Sequence, residues 1–137
     1  MAEAVFAHVL QKNELEDRFY LNSAGTQCYN PGHPPNPRTV EICRRHGIPV
    51  SHYSRNVAER DYYEFDYMLC MDSSHLLGLN QLKPEGSKAK IMLFGEFDPQ
   101  GDRNIVDPYF GDLDEYERVY QQVSRCTEAF LKHLSSA

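Results

Sequence analysis

Two short apolar runs, Phe65-Asp66-Tyr67-Met68-Leu69-Cys70-Met71 and Ile91-Met92-Leu93-Phe94, limit the folds open to this chain more than any other feature. Compact apolar runs of this length, bounded by polar connectors, read as strands covered on both faces. The first ends at Asp72-Ser73-Ser74, which suits the cap of a helix carrying Leu76, Leu77 and Leu79. The second leads through residues 95–111, which hold two Asp-Pro steps and no apolar period. Asp112 then opens a long helix with Tyr116, Val119, Tyr120, Val123, Cys126, Phe130 and Leu131 on one face. Short strands joined by helices predict a three-layer α-β-α domain with a parallel sheet.

The remaining pattern fits that class with one irregularity. Ala2, Val5, Phe6, Val9 and Leu10 recur at helical spacing, so the first element is an amphipathic helix, and Met1 leaves no place for a capping side chain before it. Arg18–Ser23 has the content of a strand, followed by Ala24-Gly25-Thr26 as a breaker. The prolines from Asn30 to Pro37 exclude helix and central strand there. Thr39 to His46 resumes helical spacing, with Gly47 and Pro49 as its stop, and Val57 to Phe65 is a short helix with Asn56 as its cap. In a parallel α/β fold a helix normally follows the strand it packs on, so a leading helix reads as a domain whose first strand is missing.

Composition narrows the class of function. The chain has 137 residues, room for a single domain over 1–137, incomplete at its N-terminus by the element order. No apolar run approaches the roughly 18 residues of a bilayer span, and mean hydropathy is -0.61. A net charge of -6 gives no positive field to attract nucleic acid or acidic lipid. Cys28, Cys43, Cys70 and Cys126 are scattered and form no C-x-x-C pair, which argues against zinc ribbons and dense disulfides and for the cytoplasm.

Several residues could carry chemistry. Asp107-Pro108-Tyr109-Phe110 sets a carboxylate beside two rings, suited to a general acid next to a ring-binding wall, although Asp-Pro is also an everyday turn. Asp98-Pro99 reads as ordinary loop. Asp98, Asp102, Asn104 and Asp107 lack the spacing of a calcium loop. Asp112, Asp114, Glu115 and Glu117 suit the positive end of a helix. The six histidines lack zinc-helix spacing, and Cys43, Cys70 and Cys126 fall on apolar faces where packing explains them. No metal is expected.

Taken in order, the segments Ala2-Glu3-Ala4-Val5-Phe6, Asn22-Ser23-Ala24-Gly25-Thr26, C-R-R-H-G-I-P from Cys43, F-D-Y-M-L-C-M-D from Phe65 and Asp107-Pro108-Tyr109-Phe110-Gly111 closely resemble the low-molecular-weight protein tyrosine phosphatases. The resemblance implies phosphoryl transfer from phosphotyrosine, or from small aryl phosphates, to a cysteine thiolate and hydrolysis of the phosphocysteine, without metal or cofactor. It implies that Asp107 is the general acid, that Tyr29, Asn30, Tyr109 and Phe110 form the walls around the substrate ring, and that Ser23 and His52 support the phosphate loop. It also implies a four-stranded parallel sheet of order 2-1-3-4. Asn22 stands where that family commonly has aspartate, and Asn30 and Phe110 occupy variable wall positions. The family signature C-x-x-x-x-x-R-S/T-P is absent: six positions after the four cysteines stand Pro34, Pro49, Leu76 and Lys132.

The sequence therefore reads as the phosphatase domain without its first, interior strand and the Cys–Arg loop that follows it, inactive as written. A noncatalytic short isoform that binds the family's partners is the other reading. Loss of an interior strand removes buried apolar surface and leaves ladder groups unpaired, a cost comparable with a domain's whole stability of about 5–15 kcal/mol. Residues 1–137 made alone are expected to be partly unfolded or aggregation-prone, and a single cooperative melting transition by circular dichroism would contradict that.

Overall fold

The computed structural model describes residues 1–25, 35–50, 54–108 and 111–136. Helix α1 (Ala2–Lys12) buries Val5, Phe6 and Leu10, and its N-cap Met1 supplies no side-chain hydrogen bond. The Arg18–Ser23 segment does not form the expected strand. A 3-10 turn takes Glu16–Arg18, and the chain continues without a ladder to Gly25, which makes one parallel bridge to Asn56. Gly25 donates its N–H to the Arg55 carbonyl at 2.9 Å, and Val57 donates to the Gly25 carbonyl at 3.0 Å. Apolar content makes a segment fit to be a strand, but a ladder also needs a neighbour about 4.8 Å away. Phe19 and Leu21 still pack on the core.

Helix α2 (Pro37–Arg45) starts two residues earlier than the spacing suggested. The Asn36 side chain accepts the Arg38 N–H at 2.8 Å, and Pro37 sits in the first turn, where a proline lacks nothing because that N–H has no helical partner. The exclusion of helix by the proline run is thus wrong at its last residue. Gly47, at φ +73, ends the helix and lets Ile48 donate to the Cys43 carbonyl at 2.8 Å. The expected helix Val57–Phe65 shrinks to one turn, α3 (Asp61–Glu64), and Asn56 does not cap it. Its shape comes from Asp61, whose carboxylate accepts the Ala58 N–H at 2.8 Å and both Arg55 Nη atoms at 3.1 and 3.2 Å.

Strands β1 (Tyr67–Cys70) and β2 (Lys90–Leu93) pair in parallel, with Tyr67 opposite Lys90 and Cys70 opposite Leu93. Helix α4 (Ser73–Leu82) makes the crossover between them, and the expected cap is present: Asp72 Oδ1 accepts the His75 N–H at 2.9 Å. Strand β2 stops before Phe94 because Phe94–Phe97 winds into a 3-10 turn. Helix α5 (Leu113–Ser135) is capped by Asp112, which accepts the Glu115 N–H at 3.0 Å.

Alternation along β1 divides the core into two layers. Tyr67, Leu69 and Met71 face the cluster built by α1, α2 and α5, while Met68 and Cys70, with Ile91 and Leu93 of β2, face Leu79 of α4 and Tyr62 of α3. The result is the α-β-α sandwich, with two strands in its ladder among the described residues rather than four. Phe130 of α5 is the centre of the larger layer, with ring centroids 6.0 Å from Phe6, 5.1 Å from Tyr67 and 5.0 Å from Phe97. Helices α2 and α5 are joined at their surface by His46, which stacks on Tyr120 at 3.8 Å and lies 2.6 Å from Glu117.

Asp98 is not the ordinary loop residue its neighbours suggested. Its side chain is 0% exposed and receives Nε and Nη2 of Arg125 at 3.0 and 3.1 Å, with the Gln100 N–H at 2.9 Å. The Arg125 hydrogen bonds hold the Asp98 pKa below its ordinary value against the opposing effect of burial. A carboxyl depressed in the fold stabilises it at pH values above its unfolded pKa, near 3.9, and that contribution is lost as pH falls through the folded value. Asp98→Asn is expected to destabilise the protein by about 3 kcal/mol at pH 7 and to flatten the fall in stability below about pH 4, as read by urea unfolding at several pH values.

Candidate active site

The loop from Gly101 to Pro108 carries Asp107 and is tied down at several points. Ile105 donates its N–H to the Met71 carbonyl at 2.7 Å, just past the carboxyl end of β1. The Asn104 Oδ1 accepts the Ser73 N–H at 3.0 Å and hydroxyl at 3.2 Å. Arg103 reaches Glu96 at 2.9 Å, and its backbone passes so close to Gly95 that a Cβ there would collide with it. Beyond Pro108, the Gly111 N–H returns to the Pro108 carbonyl at 2.6 Å, and Asp112 begins α5. The loop thus lies over the carboxyl edge of the parallel sheet, where open α/β sheets bind their ligands.

Asp107 itself is solvent-exposed and has no hydrogen bond to another described residue. It lies near enough to the N-terminal end of α1 that its charge acts on the α-ammonium of Met1. That ammonium has a lowered pKa, mainly through burial, with Cys43, Glu3 and Asp107 opposing the shift. An exposed carboxyl and the N-terminal end of a helix thus lie in the same part of the molecule.

Of the other expected site residues, Ser23 is half-buried, and its N–H goes to the Asn22 Oδ1 at 2.8 Å. Tyr29, Asn30, His52, Tyr109 and Phe110 lie outside the described residues. Of the residues that lack calcium-loop spacing, Asp98 is paired with Arg125, the Asn104 side chain bonds Ser73 at the head of α4, and Asp107 is exposed. No group of three or more His, Cys, Asp or Glu among the described residues could hold a metal ion, and no helix among them is long and apolar enough to cross a membrane.

The chain matches the family model "Low molecular weight phosphotyrosine protein phosphatase" over residues 1–137. The phosphatase of that name from Schizosaccharomyces pombe is 42% identical over 137 residues, 98% of this chain and 88% of that protein. The chain belongs to this phosphatase family. The human phosphatase of the same name is 42% identical over 134 residues, 96% of this chain and 85% of that protein. In structure, the protein tyrosine phosphatase of Entamoeba histolytica superposes with a TM-score of 0.93 at 29% identity, covering 98% of this chain and 87% of that one.

Within this phosphatase fold the described thiols have the wrong environment for attack on phosphorus. Burial pushes the Cys70 thiol up to about 11 and the Cys126 thiol up to about 12, and it raises Cys43 as well. A nucleophilic thiol needs the reverse shift, with backbone N–H groups or cations around its thiolate. Fewer than about one in a thousand of the Cys70 or Cys126 thiols is ionised at pH 7.5. Iodoacetamide at that pH is expected to leave Cys43, Cys70 and Cys126 unlabelled until the protein is denatured, as read by peptide mass spectrometry. Labelling of any of the three in the native protein would reopen the search for a nucleophile.

Proposed function

We propose that this chain is the greater part of a cytoplasmic protein tyrosine phosphatase, active also on small aryl phosphates in the manner of an acid phosphatase, with Asp107 as its proton donor. The observation that carries the reading is an exposed Asp107 on a loop held over the carboxyl edge of the sheet, in a chain that matches the phosphatase family over residues 1–137. In this reading the thiolate and the phosphate-binding guanidinium are supplied by residues that precede Met1 in the complete gene product. No cysteine in residues 1–137 is followed six positions later by arginine.

The chemistry then runs in two steps. The thiolate sulfur attacks phosphorus as the bond to the tyrosine oxygen breaks, and Asp107 gives its proton to that oxygen, so tyrosine leaves neutral. Water next attacks the phosphocysteine, Asp107 takes a proton from it, and inorganic phosphate departs as the thiolate is restored. Asp107 suits both roles because it is exposed and has no hydrogen bond to another described residue, unlike Asp98 and Asp61. Tyr29, Asn30, Tyr109 and Phe110 would grip the aromatic ring of the substrate, and Ser23 and His52 would support the phosphate loop. No metal or cofactor takes part.

Residues 1–137 alone are expected to show no turnover of an aryl phosphate, since loss of the nucleophile lowers the rate on the order of a millionfold. Hydrolysis by that chain, abolished by Asp107→Asn, would refute the assignment of the nucleophile. In the complete product, identified by the in-frame codons before Met1, Asp107→Asn should lower kcat/KM for a phosphotyrosine peptide by about 10²–10⁴-fold.

A further inference from the structure

Helix α5 contains one buried amide whose partners lie in the loop of the proton donor. Gln122 is 6% exposed, and its Nε2 donates to the Asn104 carbonyl at 3.0 Å and to the Asp102 carbonyl at 3.3 Å. Its neighbour Gln121 is exposed and bonds within α5, to Glu117. Burial of an amide is unfavourable unless its hydrogen bonds are made, so the place of Gln122 facing the loop fixes the loop as firmly as the loop fixes Gln122.

The consequence for Asp107 follows from how short the remaining tether is. Asn104 is held by its carbonyl to Gln122 and by its side chain to Ser73, and Ile105 is buried and bonded to Met71. Only Val106, 69% exposed, separates this anchored pair from Asp107. The Asn104–Ser73 bonds are exposed and compete with water, whereas the Gln122 bonds are partly buried and do so less. We propose that Gln122 is a positioning residue for the reaction: its amide, through the Asp102 and Asn104 carbonyls, sets where the Asp107 carboxyl stands relative to the leaving oxygen. The proposal rests on the reading of Asp107 as general acid.

A misplaced acid has a signature that simple loss of folded protein lacks. Phenyl phosphate has a poor leaving group and needs the proton, whereas 4-nitrophenyl phosphate has a good one and needs it much less. The ratio of kcat/KM for the two substrates is independent of how much enzyme is folded. In the complete product, Gln122→Met, which keeps the volume and removes the donor, is expected to lower the phenyl to 4-nitrophenyl ratio by about tenfold or more. Gln122→Asn, with an amide too short to reach, should move it in the same direction. Asp107→Asn is the control: if it leaves the ratio unchanged, the reading of Asp107 fails whatever Gln122 does. If Asp107→Asn lowers the ratio and both Gln122 variants leave it at the wild-type value, the positioning role is overturned.

Discussion

Phe130 packs against rings from three different parts of the chain, and that packing decides where everything else lies. Phe6 comes from α1, Tyr67 from β1 and Phe97 from the turn after β2. A two-stranded ladder has little stability of its own, so the relation between helix and sheet is set by this cluster and not by strand pairing. Phe6 packs against Phe19, Phe94 and Phe130, which holds α1 on this layer of the core.

The carboxylates divide their work by burial. Asp98 and Asp61 are enclosed and bound by Arg125 and Arg55, and both have pKa values below the ordinary carboxylate range. For Asp61, burial opposes the shift and is outweighed by Arg55 and the Ala58 N–H. Such groups hold loops in place but cannot trade protons near neutral pH. Asp107 is exposed and has no such partner among the described residues, as the proposed role of proton donor requires. The thiols follow the same logic in reverse: burial makes Cys43, Cys70 and Cys126 good filling and poor nucleophiles.

What could be read from the sequence was whatever local chemistry determines. The caps Asp72 and Asp112, the apolar stripe of α5 and the two short strands depend on residues within a few positions of one another, and all are present. The Arg18–Ser23 strand failed because a strand is a property of two segments, and apolar content says nothing of the second. Pro37 was misplaced because a proline run reads as a single exclusion, although its last member suits a helix start. For the candidate site, Asp-Pro-Tyr-Phe and the family resemblance pointed to Asp107, which the structure places exposed on the loop over the sheet edge. The Asp98–Arg125 and Gln122–Asn104 links, 27 and 18 residues apart, have no local signal.

Those long-range links show how a segment without regular secondary structure can be held in a defined place. Residues 101–108 lack regular secondary structure, so their backbone groups must find partners elsewhere or face water. Backbone partners come from Met71 after β1 and Gln122 within α5, and Ser73 at the head of α4 adds bonds to the Asn104 side chain. Each element is itself fixed by a different part of the core, Met71 and α5 by the larger aromatic layer and α4 by the smaller layer around Tyr62 and Leu79. The loop therefore takes its position from the whole sandwich, and a change in either layer shifts one anchor relative to the others. In the proposed role of Asp107, a donor held in this way is sensitive to substitutions far from it, because displacement of its loop is resisted by packing and not by any bond that Asp107 makes to another described residue.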